Sequence, residues 1–208
     1  IPNMGLSQGD ADHHQWDKLR AWLLPVLLAV IALVIAAFAD QGREWFRYDR
    51  VAIEGGQLWR LASGHFTHLG LSHLVLNVLG LLLIAFLVIA QFQPLQWLVI
   101  TLFVILGIDL GFWLLEPQLI WYVGLSGLLH GIWAAGAIGG LRSGLIDYRL
   151  LLGFLVLKLG YEQFVGPLPG SEESTGGNVV VAAHLYGAIS GAVIGGWFSF
   201  RKAAAAPI

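Results

Sequence analysis

The sequence predicts an all-α membrane protein of six transmembrane helices, and three observations predict it. The chain of 208 residues is 57% hydrophobic and only 12% charged, with a mean hydropathy of +0.75, well outside the range of water-soluble domains. A span needs about 20 mostly apolar residues, and six stretches approach or meet this: roughly 21–39, 71–90, 95–115, 124–141, 149–164 and 179–199. The few polar residues inside those stretches recur near the same ends of their spans, as they do when they share one buried site.

Taken in order, the first three stretches are plain Leu/Val/Ile runs, and the fourth and sixth are rich in Gly and Ala and carry His130 and His184. The fifth carries Lys158 and Glu162 near its end, a spacing of four that reads as an ion pair at the membrane edge. Between the first two spans, residues 40–70 form a long, charged and aromatic segment. Its Trp45, Tyr48 and Trp59 suit the headgroup zone, so it is expected to lie in the interface. Residues 91–94 make a bare turn ending in Pro94, and 165–178 is flexible by composition. Residues 1–20 read as an N-terminal cytoplasmic segment or an artificial remnant, 21–200 as the membrane domain, and 201–208 as a short tail; no cleavable signal peptide is evident.

An even number of spans puts both termini on one side, which collects Lys18, Arg20, Arg142, Arg149, Arg201 and Lys202. The positive-inside rule makes that side cytoplasmic, although the 40–70 segment holds four Arg on the other side, offset by Asp40, Glu44, Asp49 and Glu54. The near balance of 11 basic and 13 acidic residues gives no reason to expect nucleic acid, and the absence of cysteine excludes thiolate chemistry and Cys-based metal sites.

The strongest local signal is Gly124-Leu125-Ser126-Gly127 at the start of the fourth span. Flanking glycines lack Cβ atoms and open turns closed to other residues, which leaves a serine between them accessible. Such a serine needs a base, and His184 is the partner expected. Positions 184, 187, 191 and 195 lie on one helical face, smooth with glycine below the histidine, and Gly127, Gly131 and Ala135 form a matching ridge on the fourth span. The fourth and sixth spans run in the same direction, so Ser126 and His184 fall at one depth. The second span begins on that face with His73 and Asn77 four residues apart, donors placed to stabilise an oxyanion together with the Ser126 amide. His130, one turn after Ser126, is placed to support the His184 ring.

Trp59-Arg60, His73-x-x-x-Asn77, Gly124-x-Ser126-Gly127 and Ala183-His184-x-x-Gly187-x-x-x-Gly191, in that order, resemble the rhomboid intramembrane serine proteases over residues about 20–200. The resemblance implies a six-helix bundle, a Ser126–His184 dyad without a third acid, an oxyanion hole using His73 and Asn77, an interfacial first loop around Trp59 and Arg60, and close packing at Gly124, Gly127 and Gly187. It implies no cofactor and no metal, and cleavage of transmembrane protein substrates near their outer end. Typical bacterial members carry tyrosine four residues after the serine, where this chain has His130. With Lys158-Leu159-Gly160-Tyr161-Glu162-Gln163 and the residues around His184, that change is similar to the rhombosortase branch. That branch is associated with cutting C-terminal Gly-Gly sorting tails from exported proteins of Gram-negative bacteria. A bacterial inner-membrane protein opening to the periplasm, working in the lipid bilayer as a monomer, is the expectation that follows.

Other chemistries fit less well. His65, His68 and His73 suggest a metal site, but no His-Glu-x-x-His motif or neighbouring carboxylate base accompanies them. Asp109 is the only aspartate deep in a span, so a pair of facing carboxylates is lacking. A Ser126–Lys158 pair, an inactive relative that binds membrane segments, a general rhomboid protease and a transporter complete the alternatives; no internal repeat supports the last.

Overall fold

The structure, a computed structural model, describes residues 8–142 and 147–204, with side chains from Leu19 onward. Residues 1–7, the side chains of residues 8–18, Lys18 among them, and residues 205–208 of the tail therefore lie outside the described residues. Six longer helices dominate: α1 (Gln8–Ala36), α5 (Leu71–Val88), α6 (Pro94–Leu115), α7 (Ser126–Gly140), α8 (Tyr148–Phe164) and α10 (Val181–Ala204). Between α1 and α5 lie the short helices α2 (Ala39–Phe46), α3 (Arg50–Glu54) and α4 (Trp59–Ser63), and α9 (Ser171–Thr175) precedes α10.

Four stretches are long and apolar enough to cross a membrane: Leu19–Ala36, Leu71–Gln91, Pro94–Leu115 and Val181–Ala204. The protein is an integral membrane protein. Helices α7 and α8, with 15 and 17 residues, are shorter; at about 1.5 Å per residue they reach roughly 22–26 Å, less than a full hydrocarbon core. Length separates them from the other four, and their glycines or charges lower their hydropathy as well.

The bundle is apolar outside and carries its polar groups inside, the arrangement that lipid as solvent demands. Large aliphatic and aromatic side chains such as Leu23, Phe86, Leu114 and Phe200 face outward. His73, Asn77, Thr101, Asp109, His130, Glu162, His184 and Ser190 are buried. Local chemistry sets several boundaries. Pro94 opens α6 behind a Gln93–Gln96 capping box, and the Asp147 carboxylate accepts the Arg149 N–H at the start of α8.

The 40–70 segment, expected as an interfacial loop, is largely helical. Its Trp45 and Trp59 are exposed, and the Trp59 indole N–H donates to the Trp45 carbonyl at 3.2 Å. Arg60 is buried and donates to the carbonyls of Glu44 (2.8 Å) and Arg47 (3.0 Å) and to the Gln57 side chain (2.8 Å). Arg50 donates to the carbonyls of Phe112 (2.6 Å), Glu116 (3.0 Å) and Leu119 (3.1 Å), satisfying the open C-terminus of α6. The segment is thus tied to the bundle through its arginines. Two short strands, β1 (Tyr48–Asp49) and β2 (Trp121–Tyr122), pair antiparallel with Tyr48 opposite Tyr122, which fixes the segment beside residues 123–126. The stretch 165–178, expected to be flexible, contains α9, and the Glu172 carboxylate accepts the Val179 N–H at 3.2 Å.

Candidate active site

Helices α7 and α10 approach each other along their glycine faces. A Cβ built on Gly187 would run into the carbonyl of Gly127, one on Gly191 into Gly131, and one on Gly195 would lie 2.6 Å from the Cα of Ala135. Only hydrogen at these positions permits backbone-to-backbone contact. On the other side of α10, Tyr186 fills the space beside Gly111, and Ser190 that beside Gly107. Helix α10 is therefore gripped between α6 and α7.

That grip sets one polar contact at the upper end. Ser126 is the first residue of α7, and its Oγ lies 2.9 Å from Nε2 of His184. His184 is buried and Ser126 partly exposed. The turn leading into the serine is held from three directions. Gly124 has φ +136°, a conformation that side-chain-bearing residues rarely adopt. Its N–H donates to the Gly64 carbonyl at 3.2 Å, and its own carbonyl accepts from the Tyr122 hydroxyl at 2.5 Å.

His130 stacks on His184, with ring centroids 4.1 Å apart and 15° between planes. Its Nδ1 lies 2.7 Å from the Ser126 carbonyl, so the neutral ring donates there and leaves Nε2 as an acceptor. That Nε2 is buried with no hydrogen-bond partner among the described residues.

Behind His184 the structure departs from the expected dyad. Oε2 of Glu162 lies 2.9 Å from Nδ1 of His184, and Oε1 accepts from Nζ of Lys158 at 2.6 Å. Lys158 and Glu162 do pair as their spacing predicts, but not at the edge: Glu162 is buried, turned inward against the histidine. The expectation of no third acid fails because α8 presents one helical face to α10, and both residues of the i, i+4 pair lie on that face. The sequence contained the signal, since a carboxylate inside a span requires a partner.

His73 and Asn77 are both buried on α5. Nδ1 of His73 accepts the Leu69 N–H at 3.4 Å, so a neutral ring carries its proton on Nε2. That edge faces the serine turn: a Cβ on Gly124 would lie 3.2 Å from His73 Nε2. Asn77 donates one amide hydrogen to the His73 carbonyl at 3.1 Å. Its second amide hydrogen remains for another acceptor.

His65, His68 and His73, which suggest a metal site in the sequence, do not converge on one point. His65 pairs with Asp109 at 3.2 Å, while His68 meets His73 ring edge to ring face, centroids 5.0 Å apart. His68 lies outside the spans. Burial, reinforced by His73, pushes its pKa down to about 3. Among the described residues, one donor atom each from His130, Glu162 and His184 lie within 4.8 Å of one another. The two imidazoles there are stacked nearly parallel, so their in-plane lone pairs do not converge as a tetrahedral ion requires. Tyr122 is a site residue that sequence reasoning missed; an aromatic two residues before the glycine was its only signal.

Beside the site, an apolar groove of about 380 Å³ lies between α5 and α8, lined by Leu83, Leu87, Trp133, Leu151, Phe154 and Lys158 among others.

A helical membrane bundle with a serine–histidine contact at one end of glycine-packed helices defines a class, that of integral membrane proteins carrying a polar site within the bundle. The Rhomboid domain family matches residues 55–201, and the chain belongs to the rhomboid family. That membership supports an intramembrane protease-type function. A search of curated proteins gives no match.

Proposed function

We propose that this protein is an intramembrane serine endopeptidase in which Ser126 attacks the substrate and His184 takes its proton. The single observation that carries the reading is the 2.9 Å contact between Ser126 Oγ and His184 Nε2 inside a membrane bundle. With a carboxylate on Nδ1, the neutral His184 ring holds its proton there and offers Nε2 as the acceptor. As the Ser126 Oγ bonds to the scissile carbonyl carbon, its proton passes to Nε2. The imidazolium then protonates the leaving amine as the C–N bond breaks, and a water activated by the same nitrogen releases the acyl group.

Negative charge develops on the carbonyl oxygen, and donors are at hand. The Ser126 N–H lies at the start of α7, where helix amides lack intrahelical acceptors. His73 Nε2–H and the second Asn77 amide hydrogen come from α5. Pre-oriented donors of this kind in a site poor in water are worth more than in solution. The α5–α8 groove has the apolar lining that a transmembrane substrate helix needs.

All six longer helices cross the bilayer in this reading, α7 being largely buried among its neighbours and α8 keeping a broad outward aliphatic face. Ser126 and His184 lie at one end of their helices, and Arg142, Arg149, Arg201 and Lys202 at the other, which favours cytoplasmic termini and a site opening to the periplasm of a bacterial inner membrane. His130 in place of tyrosine and the Lys158-to-Gln163 run favour a rhombosortase-like substrate, the apolar tail helix following a Gly-Gly pair on exported proteins.

Co-expression with two reporters tests the reading, one bearing a Gly-Gly tail helix and one a conventional rhomboid substrate. Ser126→Ala and His184→Ala should each abolish cleavage and fluorophosphonate labelling while leaving the protein folded. Full activity in either variant removes the serine–histidine reading. Equal cutting of both reporters removes the tail-specific one.

A further inference from the structure

Glu162 sits with 3% of its surface exposed on a helix whose residues Leu157 and Phe164 face outward. An ionised carboxylate in such a place is costly unless both oxygens are engaged. Both are, by different partners: Oε1 by the Lys158 ammonium at 2.6 Å and Oε2 by the His184 ring at 2.9 Å. His184 is in turn constrained on three sides: Ser126 on Nε2, Glu162 on Nδ1, and the His130 ring across one face.

We propose that Lys158 and Glu162 form a positioning relay behind His184: Lys158 fixes the carboxylate, and the carboxylate fixes the histidine tautomer that accepts the Ser126 proton. The inference rests on the serine–histidine reading above and adds two residues to it. During acylation the proton moves from Ser126 Oγ to His184 Nε2 while the Nδ1 proton stays on the ring, facing Glu162, which remains ionised throughout. Glu162 and Lys158 act through His184 and do not touch the reacting atoms.

The geometry gives this relay a signature that packing alone lacks. Lys158 is a donor without acceptor capacity, so in Glu162→Gln it holds the amide oxygen. The amide nitrogen then faces His184 and donates to Nδ1, which forces the ring proton onto Nε2. A ring protonated at Nε2 cannot accept from Ser126. Glutamine is nearly isosteric with glutamate, so a structural role would be preserved and a relay poisoned. Removing Lys158 in the same background frees the glutamine to flip, present its oxygen to Nδ1–H and restore the productive tautomer.

The test uses the full-length protein in phosphatidylethanolamine/phosphatidylglycerol vesicles, with cleavage of a transmembrane reporter, fluorophosphonate labelling rates, and 15N NMR of labelled histidine. Glu162→Gln should lower kcat and the labelling rate by about 10³–10⁴-fold at little-changed KM, as a wrong tautomer does in serine hydrolases, and its His184 15N shifts should report a proton on Nε2. The Lys158→Met/Glu162→Gln double variant should recover at least about tenfold over Glu162→Gln, and Glu162→Asp should retain part of the activity. The relay is overturned if Glu162→Gln keeps wild-type rates, or if the double variant is no faster than Glu162→Gln. Should Glu162→Gln fail to fold, Lys158→Met alone decides: the relay requires a fall in kcat at constant KM, and an unchanged kcat refutes it. Wild-type rates in Glu162→Gln beside inactive Ser126→Ala and His184→Ala remove only the relay. Activity in the latter two removes the serine–histidine reading itself.

Discussion

The Cα of Gly187 in α10 lies directly against the carbonyl of Gly127 in α7, with no space for a single added carbon. This contact lies one turn below His184 and immediately after Ser126, so the distance between the reacting side chains is set by the absence of two side chains. Gly187→Ala should push the helices apart. The expected result is loss of most cleavage activity together with a lower melting temperature in detergent, measured by reporter assay and thermal unfolding. Gly196, one residue past the ridge, has open space where a Cβ would stand, and Gly196→Ala should leave both unchanged.

Gly124 combines a backbone conformation open mainly to glycine with a neighbour, the His73 ring, 3.2 Å from where a Cβ would lie. Gly124→Ala should therefore disturb the serine turn and the His73 donor together. A fall of roughly 10²-fold or more in kcat is expected, in line with loss of an oxyanion donor, with the protein still assembled. Wild-type kcat would mean that the turn does not contribute to the transition state.

Asn77 spends one amide hydrogen on its own helix and keeps the other. Asn77→Ala is expected to lower kcat by about 10²–10³-fold with KM nearly constant, the pattern of an interaction made only in the transition state. A change confined to stability would assign Asn77 to helix packing instead.

His130 holds the Ser126 carbonyl and the face of His184 at once. His130→Ala should reduce kcat by about 10–100-fold, the range for losing a group that orients a reactive side chain. His130→Tyr restores an aromatic face without the Nδ1–H donor and should fall between the two. Steady-state cleavage of the reporter in vesicles separates the three.

His68 is buried neutral, with its pKa depressed to about 3 by burial and by His73. In the unfolded chain the same ring titrates near its ordinary value of about 6.5, so below that pH the unfolded state binds a proton that the folded state refuses. Stability should fall as pH drops through 6.5 and level off only near 3. His68→Gln should flatten that acid-side loss, read as melting temperature against pH in detergent.

Much of this protein is written in its sequence. Three of the helices, α1, α5 and α6, follow from aliphatic runs, because in lipid a backbone with no other acceptor must bond to itself. The Ser126–His184 pairing followed from helix direction and from glycine steps of three and four residues, which are one-dimensional facts about a helix surface. The shorter α7 and α8 were less legible, since small or charged residues dilute the hydropathy that marks a span.

What the sequence could not decide was which way α8 turns. Lys158 and Glu162 read equally well as an ion pair facing headgroups or as one facing the interior, because a spacing of four fixes their mutual contact and not the rotation of the helix that carries them. Only packing of α8 against α7 and α10 chose the inward face and brought the Glu162 carboxylate 2.9 Å from His184. In the same way His65 could have joined His68 and His73, and tertiary structure gave it to Asp109 on α6 instead. Local periodicity determined which residues share a helical face. The neighbour that each face meets was settled by the fold, where a buried carboxylate such as Glu162 or Asp109 is costly without a partner.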